Sequence, residues 1–186
     1  MTTAFPYLSA LLTLSILSIH QAALASTQNG HYNIKTLNFT LYQHETINKT
    51  GFIVVDGVSG VGVSQTTTPF GTLYVFRDNL TTHVGGSSRF AGVAEGTSLT
   101  TSFDGLRSLS IAKITLNLNG YEGSISIVGG THNTKPSEYP VVGGTGDFLY
   151  VLGHIRSTPV DLSGLTVVYR IDFFLYWPPY AATAPK

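Results

Sequence analysis

The chain has 186 residues, no cysteine, and ten basic against ten acidic residues, so its formal net charge is zero. Only 11% of it is charged, while 42% is hydrophobic and 20 residues are glycine. The balance excludes the basic footprint of a nucleic-acid binder, the missing cysteines exclude a disulfide framework, and the length points to one domain.

The N-terminus reads as a targeting segment. Residues 1–25 contain no Asp, Glu, Lys or Arg, Tyr7 to Ile19 is largely apolar, and Ala23-Leu24-Ala25 precedes Ser26 in the small-x-small pattern of a cleavage site. The apolar part is short for a membrane span. The expectation is a signal peptide over 1–25, a secreted chain with no membrane contact after cleavage, and a flexible lead-in over 26–36. Three acceptor tripeptides, at Asn38, Asn48 and Asn79, fit glycosylation in that compartment. A secreted domain without disulfides relies on its core or on partner subunits for stability.

The remaining chain has the two-residue period of strands. Leu37, Phe39 and Leu41 fall on one face and Asn38, Thr40 and Tyr42 on the other. Phe52 to Val55 is a short apolar run, and Val58 to Pro69 reads as a loop or short irregular strand. Gly71 to Phe76 reads as a strand ending near Arg77-Asp78-Asn79, and Phe90 to Leu99 as a softer one. Phe103-Asp104-Gly105 and Asn119-Gly120 are hairpin signals. Between them, Leu109 and Ile111 have one parity and Ile114, Leu116 and Leu118 the other. That slip puts the apolar set on opposite faces unless a bulge restores the register. Gly129-Gly130 opens a polar loop expected to reach Pro140. Pro140 to Phe148, with three glycines, reads as a tight turn between two strands, with Asp147 capping it locally. Val167, Tyr169, Ile171, Phe173, Leu175 and Trp177 form one face of the last strand, and Pro178-Pro179 stops it. Arg170 and Asp172 share its other face and are expected to form structural ion pairs, across strands or with a neighbouring subunit, rather than substrate contacts. The tail beyond is expected to be mobile.

No run in this stretch has helical periodicity. About eight strands at turn-rich spacing indicate an all-β protein, either an antiparallel barrel or a sandwich. The histidines have no metal-ligand spacing, and no serine sits in a nucleophile elbow. Neither a metal nor any other cofactor is expected.

Two stretches resemble the plant dirigent family. Phe70-Gly71-Thr72-Leu73-Tyr74-Val75-Phe76-Arg77-Asp78-Asn79-Leu80-Thr81 is similar to its FG-hydrophobic-DD-x-LT segment, and Val141-Val142-Gly143-Gly144-Thr145-Gly146-Asp147-Phe148 to its glycine-rich VVGGTG(D/K)F segment. Tyr42-Gln43-His44-Glu45 is similar to the family's Y-x-H-D, and Ala94-Glu95-Gly96 to its A-Q-G. The order of these segments agrees as well. The resemblance implies an eight-stranded antiparallel β-barrel over residues 37–180, followed by a tail over 181–186, assembled as a homotrimer in the extracellular space (the apoplast). It implies binding of a phenoxy radical or quinone methide and stereoselective phenylpropanoid coupling, with the radical made by a separate laccase or peroxidase.

The departures from the family pattern bear on the site. Its Y-x-H-D aspartate falls on Glu45, which keeps the acid on a longer arm. Lignan-forming relatives carry an aspartate and an arginine before the glycine segment; those positions fall on Thr131 or His132 and on Ser137, so that acid set is not reproduced. The tyrosine after A-Q-G falls on Thr97 or Ser98. Quinone methide chemistry needs a proton donor and a pocket for the ring, which makes Glu45 and His132 the candidate catalytic residues. Tyr42, His44, Thr97, Ser137 and Glu138 are the candidate substrate-binding residues. A second reading, a non-catalytic secreted binding module, follows from the same losses; an open acid-bearing lumen favours steering, and a plugged one favours the module.

Overall fold

The computed structural model describes residues 34–85 and 88–182. The expected signal peptide and the end of the tail lie outside them, and the lead-in is described only from Ile34. Nine strands follow in chain order: β1 (Lys35–Thr46), β2 (Gly51–Val55), β3 (Leu73–Thr81), β4 (Phe90–Thr100), β5 (Arg107–Leu118), β6 (Tyr121–His132), β7 (Ser137–Gly146), β8 (Leu152–Asp161) and β9 (Thr166–Trp177). A 3₁₀ turn, Pro179–Ala182, comes after Pro178 ends the last strand.

Every neighbouring pair is antiparallel, and the sheet order β1-β9-β8-β7-β6-β5-β4-β3-β2 closes because β1 also pairs with β3. β1 contributes Tyr42, Gln43 and His44 opposite Thr81, Leu80 and Asn79, and β2 then takes over opposite Phe76 to Leu73. β1 and β2 thus run in the same direction along β3 and together form one wall position, interrupted by a turn at Ile47–Thr50 in which Asn48 has φ 58°. The result is a closed eight-stranded antiparallel barrel, in which the short β2 pairs on one side with β3.

Alternation sorts side chains into lumen and exterior. The β9 face expected from sequence is the inner one: Val167, Ile171, Phe173, Leu175 and Trp177 are buried. At one end the lumen is filled. Phe148, Phe173, Leu175, Leu116 and Ile125 pack there with almost no exposure, Phe39 stacks on Phe173 at 4.3 Å between centroids, and Lys35 lies over the rings of Tyr121 and Trp177.

Three readings of the sequence meet the structure, the second and third as corrections. First, β5 has no bulge, so its apolar set falls on opposite faces; it pairs residue for residue with β4 and β6. Leu109 and Ile111 point outward, 44% and 53% exposed, and Ser108 and Ser110 point inward. The parity slip marks where the lumen lining changes from Ile114, Leu116 and Leu118 to small hydroxyls. Second, Gly129 to His132 is not a loop but the end of β6, and Ser137 to Tyr139 begins β7, so the connection is a short turn at 133–136. Third, the glycine stretch is itself strand through Gly146, and the chain turns after it, at Asp147–Tyr150. Gly144 is needed for space: a Cβ there would overlap the Phe148 carbonyl oxygen. Asp147 caps a neighbour rather than its own turn, accepting from the peptide N–H of Glu122 at 2.9 Å.

Other turn and boundary expectations also meet the structure. Asn119 and Gly120, at φ 52° and 81°, make the two-residue hairpin turn. The strand expected to stop near Arg77 runs on to Thr81, because β4 stays paired with it to Phe90. β1 begins at Lys35, inside the expected lead-in. Arg170 and Asp172 pair on the outer face of β9, with Nη2 and Oδ1 2.9 Å apart, and Thr40 donates to the same oxygen.

Candidate functional site

The end of the barrel away from the packed core holds a cavity of about 290 Å³. Its wall is what alternation leaves facing inward beyond the core: Glu45 on β1, Tyr74 on β3, Ser98 on β4, Ser110 on β5, Tyr139 on β7 and Tyr169 on β9, among apolar residues such as Phe76, Ile127 and Ile171. Among the described residues no lysine or arginine lines it, and Glu45 is its one carboxylate. The mouth is crossed by residues 63–68 of the β2–β3 connection. This strap is tied at several points of the rim. Asn133 Nδ2 donates to the Thr66 carbonyl at 2.7 Å, Thr68 and Thr100 share a hydroxyl hydrogen bond, and Gln65 Nε2 donates to the Gly164 carbonyl. Phe70 stacks on Phe103 at its base.

Glu45 sits where β1 leaves β3. The Tyr74 hydroxyl donates to its Oε1 at 3.1 Å. Gly51, opposite, leaves room for this: a Cβ there would overlap the Tyr74 ring and hydroxyl. Burial raises the Glu45 pKa, the Asp78 carboxylate adds to the effect, and the Tyr74 hydrogen bond opposes it; the result is about 7. An acid so placed is close to half protonated at neutral pH and can both give and take a proton. Burial also pushes the Tyr74 and Tyr169 phenols up, which keeps them neutral donors. Asp78 is fully buried behind Glu45, accepts from Gln43 Nε2 at 2.7 Å and Thr50 Oγ1 at 2.5 Å, and is pushed up by burial to about 6. The Thr50 bond holds the β1–β2 turn Ile47–Thr50 against β3, and the Gln43 bond holds β1 there.

Of the residues singled out from sequence, Glu45 lines the cavity. Tyr42 and His44 have the opposite parity on β1 and face outward, where His44 Nε2 meets the Thr81 hydroxyl at 2.8 Å and burial lowers its pKa. Thr97 also faces outward and donates to the Tyr74 carbonyl; its neighbour Ser98 faces the lumen. His132 closes the β6–β7 hairpin outside the cavity, where Nδ1 faces the Thr134 N–H at 3.3 Å. Ser137 is buried beside Tyr139 and accepts from the His132 N–H, and Glu138 is exposed opposite Arg156. Asn38, Asn48 and Asn79 are all exposed.

Tyr74, Tyr139, Tyr169, Ser110 and Asp78 were not singled out. The signal for them was parity. Each wall tyrosine shares a face with apolar lining residues, and an acid on the Leu37-Phe39-Leu41 face had to be an interior acid.

A profile of the dirigent-like protein family matches residues 36–176. The chain is 23% identical over 173 residues to Dirigent protein 1 of Arabidopsis thaliana, covering 92% of this chain and 94% of that one. Two solved structures of pterocarpan synthase dirigent proteins are similar in fold, each with a TM-score of 0.67. One is 21% identical and covers 80% of this chain and 93% of its own; the other is 22% identical and covers 77% and 96%.

Proposed function

We propose, since this chain belongs to the dirigent-like family, that its lumen binds a phenoxy radical or a quinone methide and directs bond formation to one face of it. The observation that carries this is Glu45, the one carboxylate among the described residues lining an aromatic-walled cavity, with a pKa near neutrality. The cavity of about 290 Å³ suits one phenylpropanoid-sized ligand near the lower limit of small-molecule sites, roughly 300 Å³. A lumen that is open and acid-bearing at one end favours steering over the alternative of a plugged binding module.

The chemistry asked of the protein is small. A separate laccase or peroxidase removes one electron and one proton from the phenol. Within the lumen, the walls present one face of the ring. When an oxygen nucleophile adds to a quinone methide, a C–O bond forms at the exocyclic carbon and the ring becomes aromatic. Its former carbonyl oxygen then takes a proton, which Glu45 supplies; the nucleophile's proton returns to Glu45. No net oxidation occurs in that step. Tyr74 holds the carboxyl in place through its hydrogen bond and acts as a positioning residue.

The residues before Ser26 and the exposed acceptor asparagines support secretion with glycosylation. The outward Leu99, Leu109 and Ile111, neighbours on β4 and β5 and all exposed, support assembly of subunits, which sedimentation of the secreted protein tests. The functional test is incubation of that protein with monolignols and an external oxidase, followed by chiral chromatography. An enantiomeric excess that disappears with Glu45→Gln supports the reading. Racemic product across several phenols sinks it.

A further inference from the structure

The cavity wall facing Glu45 carries a continuous line of hydroxyls. Ser98 and Ser110 are 2.6 Å apart, Ser110 and Thr131 2.6 Å, and Thr131 and the Tyr139 phenol 2.7 Å. The Ser137 hydroxyl hydrogen-bonds the same phenol from behind, and the peptide N–H of His132 donates to Ser137 at 2.8 Å. Four strands, β4 to β7, supply the members. In the ring β1-β9-β8-β7-β6-β5-β4-β3, β6 is four places from β1 in either direction, so the line runs from Thr131 on the wall opposite Glu45 round to Ser98 on β4, two places from β1.

The line has a direction. Each hydroxyl can donate or accept; the His132 N–H can only donate, and the order that gives the proton of buried Ser137 an acceptor runs Ser137 to Tyr139, Tyr139 to Thr131, Thr131 to Ser110, Ser110 to Ser98. The Ser98 proton is then left over, on a side chain that lines the cavity, with no acceptor bonded to it among the described residues. No charged group belongs to the line, and burial keeps the Tyr139 phenol protonated. Chained hydroxyls polarise one another in a low-dielectric site.

We propose that this hydroxyl line is a second ligand-binding pole, which donates from Ser98 to an uncharged oxygen at the far end of a two-ended phenol whose other oxygen lies at Glu45. The proposal rests on the lumen being a phenol site and adds what that phenol must carry: a hydroxyl or carbonyl on its side chain, and no anionic group there. Ser98 contacts the ligand; Ser110, Thr131 and Tyr139 position its proton.

The test uses the full secreted protein and two guaiacyl phenols that differ only at the side-chain end, coniferyl alcohol with a terminal hydroxyl and isoeugenol without it. Their affinities are measured by titration calorimetry. A neutral hydrogen bond of this kind is worth roughly a tenfold preference for coniferyl alcohol. Ser98→Ala, Ser110→Ala and Tyr139→Phe are expected to reduce that preference, read as the ratio of the two affinities within each variant, to less than about twofold. Thr131→Ser keeps the hydroxyl and is expected to keep the preference, and Thr131→Ala to lose it. Thermal melts of each variant establish folding, and Tyr139→Phe, which preserves the ring, serves where an alanine variant does not fold. Equal affinity of the native protein for the two phenols overturns the second pole and leaves the phenol site standing. So does a preference that survives Ser98→Ala and Tyr139→Phe. If neither phenol binds, the second pole and the phenol site fall together.

Discussion

Replacing Glu45 by glutamine should stabilise the protein, and only above a defined pH. The folded carboxyl has its pKa raised from the ordinary 4.5 to about 7. The fold therefore holds that proton more tightly than the unfolded chain does, and this contributes stability that is full below about pH 4.5 and lost as pH rises through about 7. The span is roughly 2.5 decades of acidity at about 1.4 kcal/mol each, so the stability lost is roughly 3 kcal/mol. Glutamine keeps the acceptor for the Tyr74 hydroxyl, resembles the protonated acid and does not ionise. Urea unfolding of both proteins from pH 4 to pH 8 should give equal stabilities at the acid end, diverging to about 3 kcal/mol in favour of Glu45→Gln at pH 8. His44, whose pKa is lowered by burial, contributes the opposite slope, but it is present in both proteins and cancels in the difference. Two parallel stability curves would refute the reasoning, because they would mean that Glu45 ionises as freely in the barrel as in water.

Tyr74→Phe removes the hydrogen bond that opposes the rise in the Glu45 pKa, so the inflection in a pH profile of stereoselectivity should move above about 7; an inflection that moves down contradicts the arrangement. Gly51→Ala should displace the Tyr74 ring and abolish phenol binding, read by calorimetry, with the packed end of the barrel undisturbed in the near-ultraviolet dichroism of Trp177. Phe148→Ala, at a fully buried ring of that packed end, should cost about 3–5 kcal/mol in chemical unfolding; a loss under about 1 kcal/mol would show that this end is loosely packed.

Strand content and facing were legible because alternation is local. The β9 sequence shows which face is buried without reference to any neighbour, and Asn119-Gly120 shows where the β5–β6 hairpin turns. The corrections have tertiary causes. Gly129-Gly130 and Gly143-Gly144 read as loop because glycine is depleted in strands, yet they belong to strands, and at Gly144 backbone from the turn beyond comes too close for any side chain. The parity slip in β5 looked like an irregularity; it records that the lumen is packed beside Leu116 and hollow beside Ser110. Glu45 was found because it matched a family position. Its partners were not found, because Tyr74 and Tyr139 are ordinary core candidates until strand order brings them around one cavity. Tyr42 and His44 flank Glu45 in sequence, but in a strand only every second residue faces the same way.

The order of strands around the barrel also constrains when it can close. From β2 to β9 each strand pairs with the next in sequence, so that part forms as a succession of hairpins. β1 is different. Its twelve ladder partners lie on β9, at the other end of the chain, and it meets β3 at only three residue pairs. During synthesis, Leu37, Phe39 and Leu41 therefore wait with no completed wall to join until Thr166–Trp177 has emerged, and apolar strands left unpaired are exposed to misassociation. Truncation anywhere in β9 removes the partner of β1 as well as one strand. Glu45 is among the first barrel residues to be made, and it is enclosed only when the last strand docks.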